Sequence, residues 1–168
     1  ANNFGEEFRS FLIDNAGGIN KAKKYKIYDY DFKIIFFDSE IQLIQAVFNV
    51  INMYQPDFVL AWNMAFDIPF FIERIRNLGF NPIDIICHPD FKEKECTYFV
   101  DQKHLNERAE RTDFAKISSY SVYLDQMIQF ASRRKGQSAF TEFKLDTIGN
   151  QMAGVKKLDY HHITENLG

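Results

Sequence analysis

The chain is poor in the residues that cross-link or punctuate: two cysteines, four prolines and eight glycines in 168 residues. Cys87 and Cys96 are too few for a disulfide framework, and nothing points to an oxidising compartment, so they read as free thiols. With His88 and His104 they form a Cys-His…Cys…His series, but the C-x2-4-C pairing typical of structural zinc is missing and zinc is not expected. Also missing is any G-x-G-x-x-G or Walker-type glycine loop, which argues against an unrelated α/β nucleotide-binding protein. No apolar run approaches the roughly 18 to 20 residues of a membrane-spanning helix. The chain opens without a charged-then-apolar leader, and an intracellular, cytoplasmic protein is the expectation.

What is present is core material. Hydrophobic residues make up 46% of the chain and charged ones 26%, with 18 Phe, 8 Tyr and one Trp, which fits a single folded domain over 1–168 rather than a disordered or fibrous chain. So many rings must be buried or stacked. Basic residues are in surplus over 111–157, with Arg133-Arg134-Lys135 at the centre. Such a cluster suits a phosphate backbone or, more blandly, a solvated helix end.

The most polar stretches, Asn15–Lys26 and Lys103–Lys116, read as loops or a mobile excursion on the surface, leaving 1–26 and 103–116 as irregular segments or surface excursions. Lys33–Phe37 is of strand type. Ser39 opens a helix with Gln42 in the capping-box position, and Ile41, Ile44, Val47, Phe48 and Ile51 give it an apolar face until Pro56-Asp57. Phe58–Trp62 is a continuous apolar run, as expected of a strand buried on both faces. Ile68, Phe71, Ile72, Ile75 and Leu78 then keep helical spacing, with Pro69 suited to the first turn and Gly79 to the stop. Strand, helix, strand, helix with short connections argues for parallel strands in an α/β sheet. Tyr120–Tyr123 reads as extended, and Leu124–Ser132 and Asp146–Met152 as helical. Phe36, Phe37, Phe48, Phe58 and Phe71 are expected to pack the sheet.

The stretch with chemistry is Trp62-Asn63-Met64-Ala65-Phe66-Asp67-Ile68-Pro69, at the C-terminal end of the inferred strand, where open α/β sheets bind ligands. Read from the residues alone, Asp67 is either a helix N-cap or a functional carboxylate, and Phe66 either core or an exposed contact. Asp125 and Asp146 read as N-caps.

Asn63-x-x-Phe66-Asp67 resembles the second exonuclease motif of family B DNA polymerases of phage type. The likeness extends through Ser39–Ile44, Gln55–Trp62, Asp67–Ile75, Tyr123–Met127, Phe143–Gly149, Gly154 and Lys156–Asp159. It thus covers roughly residues 27–160. The resemblance implies a 3′–5′ proofreading exonuclease domain of ribonuclease-H-like α/β fold, a mixed sheet flanked by helices. It also implies a substrate, the 3′ end of single-stranded DNA, and two Mg²⁺ or Mn²⁺ ions held by clustered carboxylates. Asp67 would be the catalytic metal ligand, and Asn63 and Phe66 would contact the strand end. A bacterial or phage-infected cell would be the setting.

The family pattern also needs an Asp-x-Glu pair on the first strand and a closing Asp in a third motif. No Asp-x-Glu lies on a strand before Asp67: the one such spacing, Asp38-Ser39-Glu40, falls at the start of the first helix. Asp29-Tyr30-Asp31 puts two carboxylates on one side of a strand but too close to Glu40 for the fold, and Asp14 has no carboxylate two residues on. Asp159-Tyr160 has the wrong order, and His161 and His162 read as solvated. The chain is therefore expected to be an incomplete part of a larger polymerase, inactive alone, partnered by the rest of that polymerase and prone to self-association. The alternative is a non-catalytic single-stranded nucleic-acid-binding domain of the same fold.

Overall fold

The computed structural model describes residues 10, 13–14, 17–18, 21–27, 30–135 and 143–155. They fall into two units, the described residues up to Leu43 and those from Ile44 onward.

The described part of the first unit is dominated by an antiparallel pair, β1 (Ala22–Ile27) and β2 (Tyr30–Ile35), in register from Ala22 opposite Ile35 to Ile27 opposite Tyr30. The loop expected over Asn15–Lys26 thus ends at Ala22. Its lysines gave a polar average, yet Lys24-Tyr25-Lys26-Ile27 and Tyr30-Asp31-Phe32-Lys33-Ile34 alternate with the period of two that a half-covered strand requires. In this register Lys26 stands opposite Asp31. Asp31 is exposed, and Asp29 lies outside the described residues.

Helix α1 (Glu40–Tyr54) buries Ile44 and Phe48, four residues apart. Val47, expected on that face, is about half exposed. The helix ends where Gln55 takes φ +46° and donates its N–H to the Ile51 carbonyl at 2.9 Å, just before Pro56. Left-handed backbone is costly for a side-chain-bearing residue. Gln55 Nε2 lies 3.1 Å from His88 Nε2, a contact that glycine could not make.

The second unit holds β3 (Phe58–Ala61), α2 (Met64–Asn77), the short α3 (Pro82–Ile86), β4 (Cys96–Phe99), β5 (Phe114–Ile117), β6 (Val122–Asp125), α4 (Gln126–Arg133) and α5 (Leu145–Ala153). β3 pairs with β6 in parallel, as the short strand-helix connections imply, and β4 pairs with β5 antiparallel. Both pairing senses therefore occur, in short sheets flanked by helices. The strand expected to be buried on both faces is not: Phe58 is 57% and Leu60 53% exposed, while Val59 and Ala61 are partly covered. With β6 as its partner among the described residues, β3 alternates between a covered and an open face, a pattern that a continuous apolar run conceals.

The core is organised by α2. Met64, Ile68, Ile72 and Ile75 recur every three or four residues and are buried, each contributing on the order of 1.5–3 kcal/mol. Phe71 meets Phe48 of α1 edge-on, with ring centroids 5.6 Å apart. The helix stops at Gly79, φ +86°, whose N–H reaches the Arg76 carbonyl at 2.9 Å. Cys87 and Cys96 are buried free thiols. Among the described residues no helix is long and apolar enough to cross a membrane.

The charged excursion after β4 is closed by one side chain. Buried Asp101 accepts from the Lys103 and His104 N–H groups (3.0 and 3.3 Å), His104 Nδ1 (2.9 Å), and the Thr112 N–H and hydroxyl (3.3 and 3.1 Å). Asp113 accepts from the Asp101 N–H at 2.8 Å and pairs with Arg111. This stretch, expected to be irregular or a surface excursion, contains a 3-10 turn at Arg108–Glu110 and the first residues of β5. Asp113 is matched by Arg111 and Asp101 by His104, while Lys103 and Glu107 stay exposed. The hydrogen bond from His104, with those from Thr112 and the backbone, holds the Asp101 carboxyl well below the usual range against the opposing effect of burial.

A depressed carboxyl stabilises the fold above its unfolded value and loses that contribution only as pH falls through its folded one. The network is therefore expected to persist through pH 4. Asp101→Asn should accelerate amide exchange at His104 and Thr112 and leave the α2 amides unchanged. Uniform acceleration across both would contradict a local closure.

Candidate active site at the end of strand β3

Phe58 stands opposite Val122 and Ala61 opposite Asp125, so β3 and β6 end level with each other. The chain leaves β3 through Trp62-Asn63 into α2, and leaves β6 directly into α4. Two helix N-termini, each with orphan N–H groups, therefore meet at one sheet edge.

Asp125 serves both. As expected, it is the N-cap of α4, Oδ1 accepting from the Ile128 N–H at 3.0 Å. Its Oδ2 accepts from the Ala65 N–H in α2 at 3.4 Å, and the residue is only 6% exposed. Alongside, the Met127 N–H donates to the Trp62 carbonyl at 3.2 Å. The Trp62 indole donates to the Phe143 carbonyl at 2.8 Å and its ring meets Phe130.

Asp67 is not a helix cap. Asn63 holds that position, and its carbonyl accepts from the Phe66 and Asp67 N–H groups at 2.9 and 3.0 Å. The helix starts five residues before Pro69 because Met64 continues the buried spacing upstream and Asp125 satisfies the Ala65 N–H. Pro69 consequently lies inside the helix, where it supplies no N–H to the Ala65 carbonyl. The Asp146 cap is likewise corrected: Lys144 caps α5 and Asp146 sits in its first turn, where a negative charge suits the helix end.

With capping done elsewhere, the three motif side chains are presented outward. Asn63 is exposed and makes no side-chain cap bond. Phe66 is 62% exposed, so it is not core. It stacks on Phe70, 51% exposed, with centroids 5.8 Å apart and planes 15° from parallel. Phe70 was not singled out from the sequence, although the four-residue step from Phe66 places two rings on one helix face. Asp67 is partly exposed, and its carboxyl is raised above the ordinary value, first by burial and then by the nearby Asp125 charge.

Among the described residues, no group of three or more His, Cys, Asp or Glu is placed to hold a metal ion. His104 is bound to Asp101, and His88 to Gln55 and the Asp90 N–H, so the Cys-His series is spent on local contacts. Of the basic cluster, Arg134 lies 4.6 Å over the Phe130 ring and Lys135 pairs with Glu110, while Arg133 is exposed. Arg133, Arg134, Gln126 and Gln129 line a cavity of about 460 Å³ beside α4. Asp159, Tyr160, His161 and His162 lie outside the described residues.

Comparison with known proteins gives a family match, DNA polymerase family B, exonuclease domain, over residues 6–148. The chain is similar to the DNA polymerase of Autographa californica nuclear polyhedrosis virus, 26% identical over 133 residues and 79% of this chain. It is also similar to the DNA polymerase catalytic subunit of Epstein-Barr virus (strain B95-8), 24% identical over 135 residues and 75% of this chain. It spans 13% and 12% of the length of those two relatives.

A carboxyl raised by burial and a like charge opposes folding while ionised, and that penalty vanishes in acid, where folded and unfolded states are both protonated. Asp67→Asn is therefore expected to melt at or above the wild-type temperature at pH 7, the difference closing as pH falls through the carboxylate range. A variant less stable at pH 7 would mean that ionised Asp67 is held by a favourable partner.

Proposed function

Because the chain belongs to the exonuclease domain of family B DNA polymerases, we propose that it is part of a proofreading 3′–5′ exonuclease, in which Asp67 is a metal-binding catalytic carboxylate and Asn63 and Phe66 hold the 3′ end of single-stranded DNA. The carrying observation is that these three side chains all emerge from one turn at the end of the parallel β3–β6 pair with no structural duty: Asn63 does not cap, Phe66 is not core, and Asp67 is not a cap.

The exposed Phe66–Phe70 stack offers a ring face of the kind on which single-stranded bases stack. The Asn63 amide has a donor and an acceptor to offer a terminal sugar or phosphate. Arg133 adds positive charge on the neighbouring helix, suited to the backbone.

Exonuclease domains of this family generally use divalent metals; bound here, they would supply activation of the attacking water and stabilisation of the leaving oxygen, with Asp67 as one ligand. Asp67 is a suitable hard oxygen donor. Two ions, however, need more protein ligands than one carboxylate, and among the described residues no group of three or more His, Cys, Asp or Glu is placed to hold one. The described residues do not make up that set. What they do by themselves is bind and orient a strand end, which is also the content of the non-catalytic alternative. The apolar residues Phe58, Leu60 and Val122, exposed on the β3–β6 pair, support contact with the rest of a polymerase chain or, in isolation, self-association.

The isolated chain is expected to bind a 5′-fluorescein single-stranded oligonucleotide, measured by anisotropy, and to leave it uncut in Mn²⁺. Phe66→Ala should weaken binding by about 1–3 kcal/mol, the usual worth of one stacked base. Unchanged affinity would remove Phe66 from the interface. Mn²⁺-dependent digestion abolished by Asp67→Ala would overturn the inactivity of the isolated chain and support the nuclease.

A further inference from the structure

Two carboxylates meet at the end of β3, one presented outward and one enclosed. The enclosed one, Asp125, is 6% exposed and does more than its own helix requires. One oxygen suffices to cap α4, and Oδ1 does so at 3.0 Å from the Ile128 N–H. The second crosses to a different helix and accepts from the Ala65 N–H at 3.4 Å.

Ala65 has few other restraints. It is among the first four residues of α2, whose N–H groups have no partner within the helix. Asn63, the N-cap, contributes no side-chain bond. On its carbonyl side, the donor four residues on is Pro69, which has no N–H to give. The peptide units flanking Ala65 are thus neglected by the ladder at one end and by the cap at the other. Asp125 is what holds this point of the turn, with the Met127 N–H on the Trp62 carbonyl as the adjacent tie. Phe66 and Asp67 are the next two residues along the chain.

We infer that Asp125 is a positioning residue: its buried carboxylate bridges the first turns of α4 and α2 through the Ile128 and Ala65 N–H groups and so fixes where Phe66 and Asp67 stand relative to the strand end. The role rests on the exonuclease reading above, in which Asp67 acts directly. Asp125 is 6% exposed and acts through the turn that carries Asp67 rather than on the substrate.

Asp125→Asn separates the two ties. The amide oxygen can still cap Ile128, but the NH₂ group then faces the Ala65 N–H, donor against donor. In the 168-residue chain, amide exchange of Ala65 should accelerate in Asp125→Asn while that of Ile128 is retained. In the polymerase chain that carries this domain, the same variant should lower kcat for single-stranded DNA about 10- to 100-fold, the sensitivity expected of a reacting group displaced by roughly an ångström. KM should rise by less than kcat falls, Phe66 being carried by the same turn. Combined with Asp67→Ala, it should cost no further activity, since a residue acting through Asp67 has nothing left to position. A merely structural role would lower stability equally in both backgrounds without this non-additivity.

Unchanged Ala65 exchange, or Asp67-dependent activity indifferent to Asp125→Asn, overturns the positioning role alone. Activity indifferent to Asp67→Ala overturns the exonuclease reading, and the positioning role with it.

Discussion

The parallel register of β3 on β6 is the constraint from which the rest of the second unit follows. Parallel strands cannot be joined by a tight turn, so a long crossover is obligatory, and here it consists of α2, α3 and the β4–β5 pair. The register also makes both strands stop together, which turns two unrelated helix starts into neighbours. Four residue pairs thereby decide that Asp125, more than fifty residues from the Asn63-x-x-Phe66-Asp67 turn, lies against it. A one-residue slip would send Asp125 to the opposite face and leave Ala65 without its acceptor. Pairing, capping and the presentation of the motif are one arrangement seen at three scales.

That arrangement also explains the division of labour among the acidic residues. Asp101, Asp113 and Asp125 accept hydrogen bonds or pair with cations that order the backbone. Asp67 is the carboxylate of this turn that the backbone does not consume, and its raised carboxyl is consistent with an environment not arranged to stabilise its charge. A group placed near the surface at some electrostatic cost, in a turn whose other side chains also lack structural duties, is the pattern expected where function displaces stability.

Much of this was legible in the sequence, unevenly and for physical reasons. Helical periodicity revealed α1 and α2 because buried residues at steps of three and four leave a strong signature, and Asp125 before an amphipathic run was readable as a cap. The ordered motifs named the family. The end of β2 was readable in Lys33–Phe37, but β1 was missed because lysines dominate it, and the open face of β3 because four apolar residues in a row look alike whether one face or two are covered. The start of α2 was misplaced because Pro69 usually marks a first turn. Here a tertiary hydrogen bond, from an element far along the chain, lets the helix begin earlier. The second bond of Asp125 had no local signal at all, since it exists only once two distant segments are side by side.

The Asp101 network has a consequence for length. Its carboxylate ties Lys103 and His104 at one end of the excursion to Thr112 at the other, so the course of β4 and β5 is settled before and after the segment rather than along it. Between the ties, Leu105 and Asn106 are exposed, and the entropy of closing a loop grows only slowly with added residues. The chain can therefore be lengthened at this tip without the strands registering the change, which makes it the natural place for a tag, a reporter or an inserted domain.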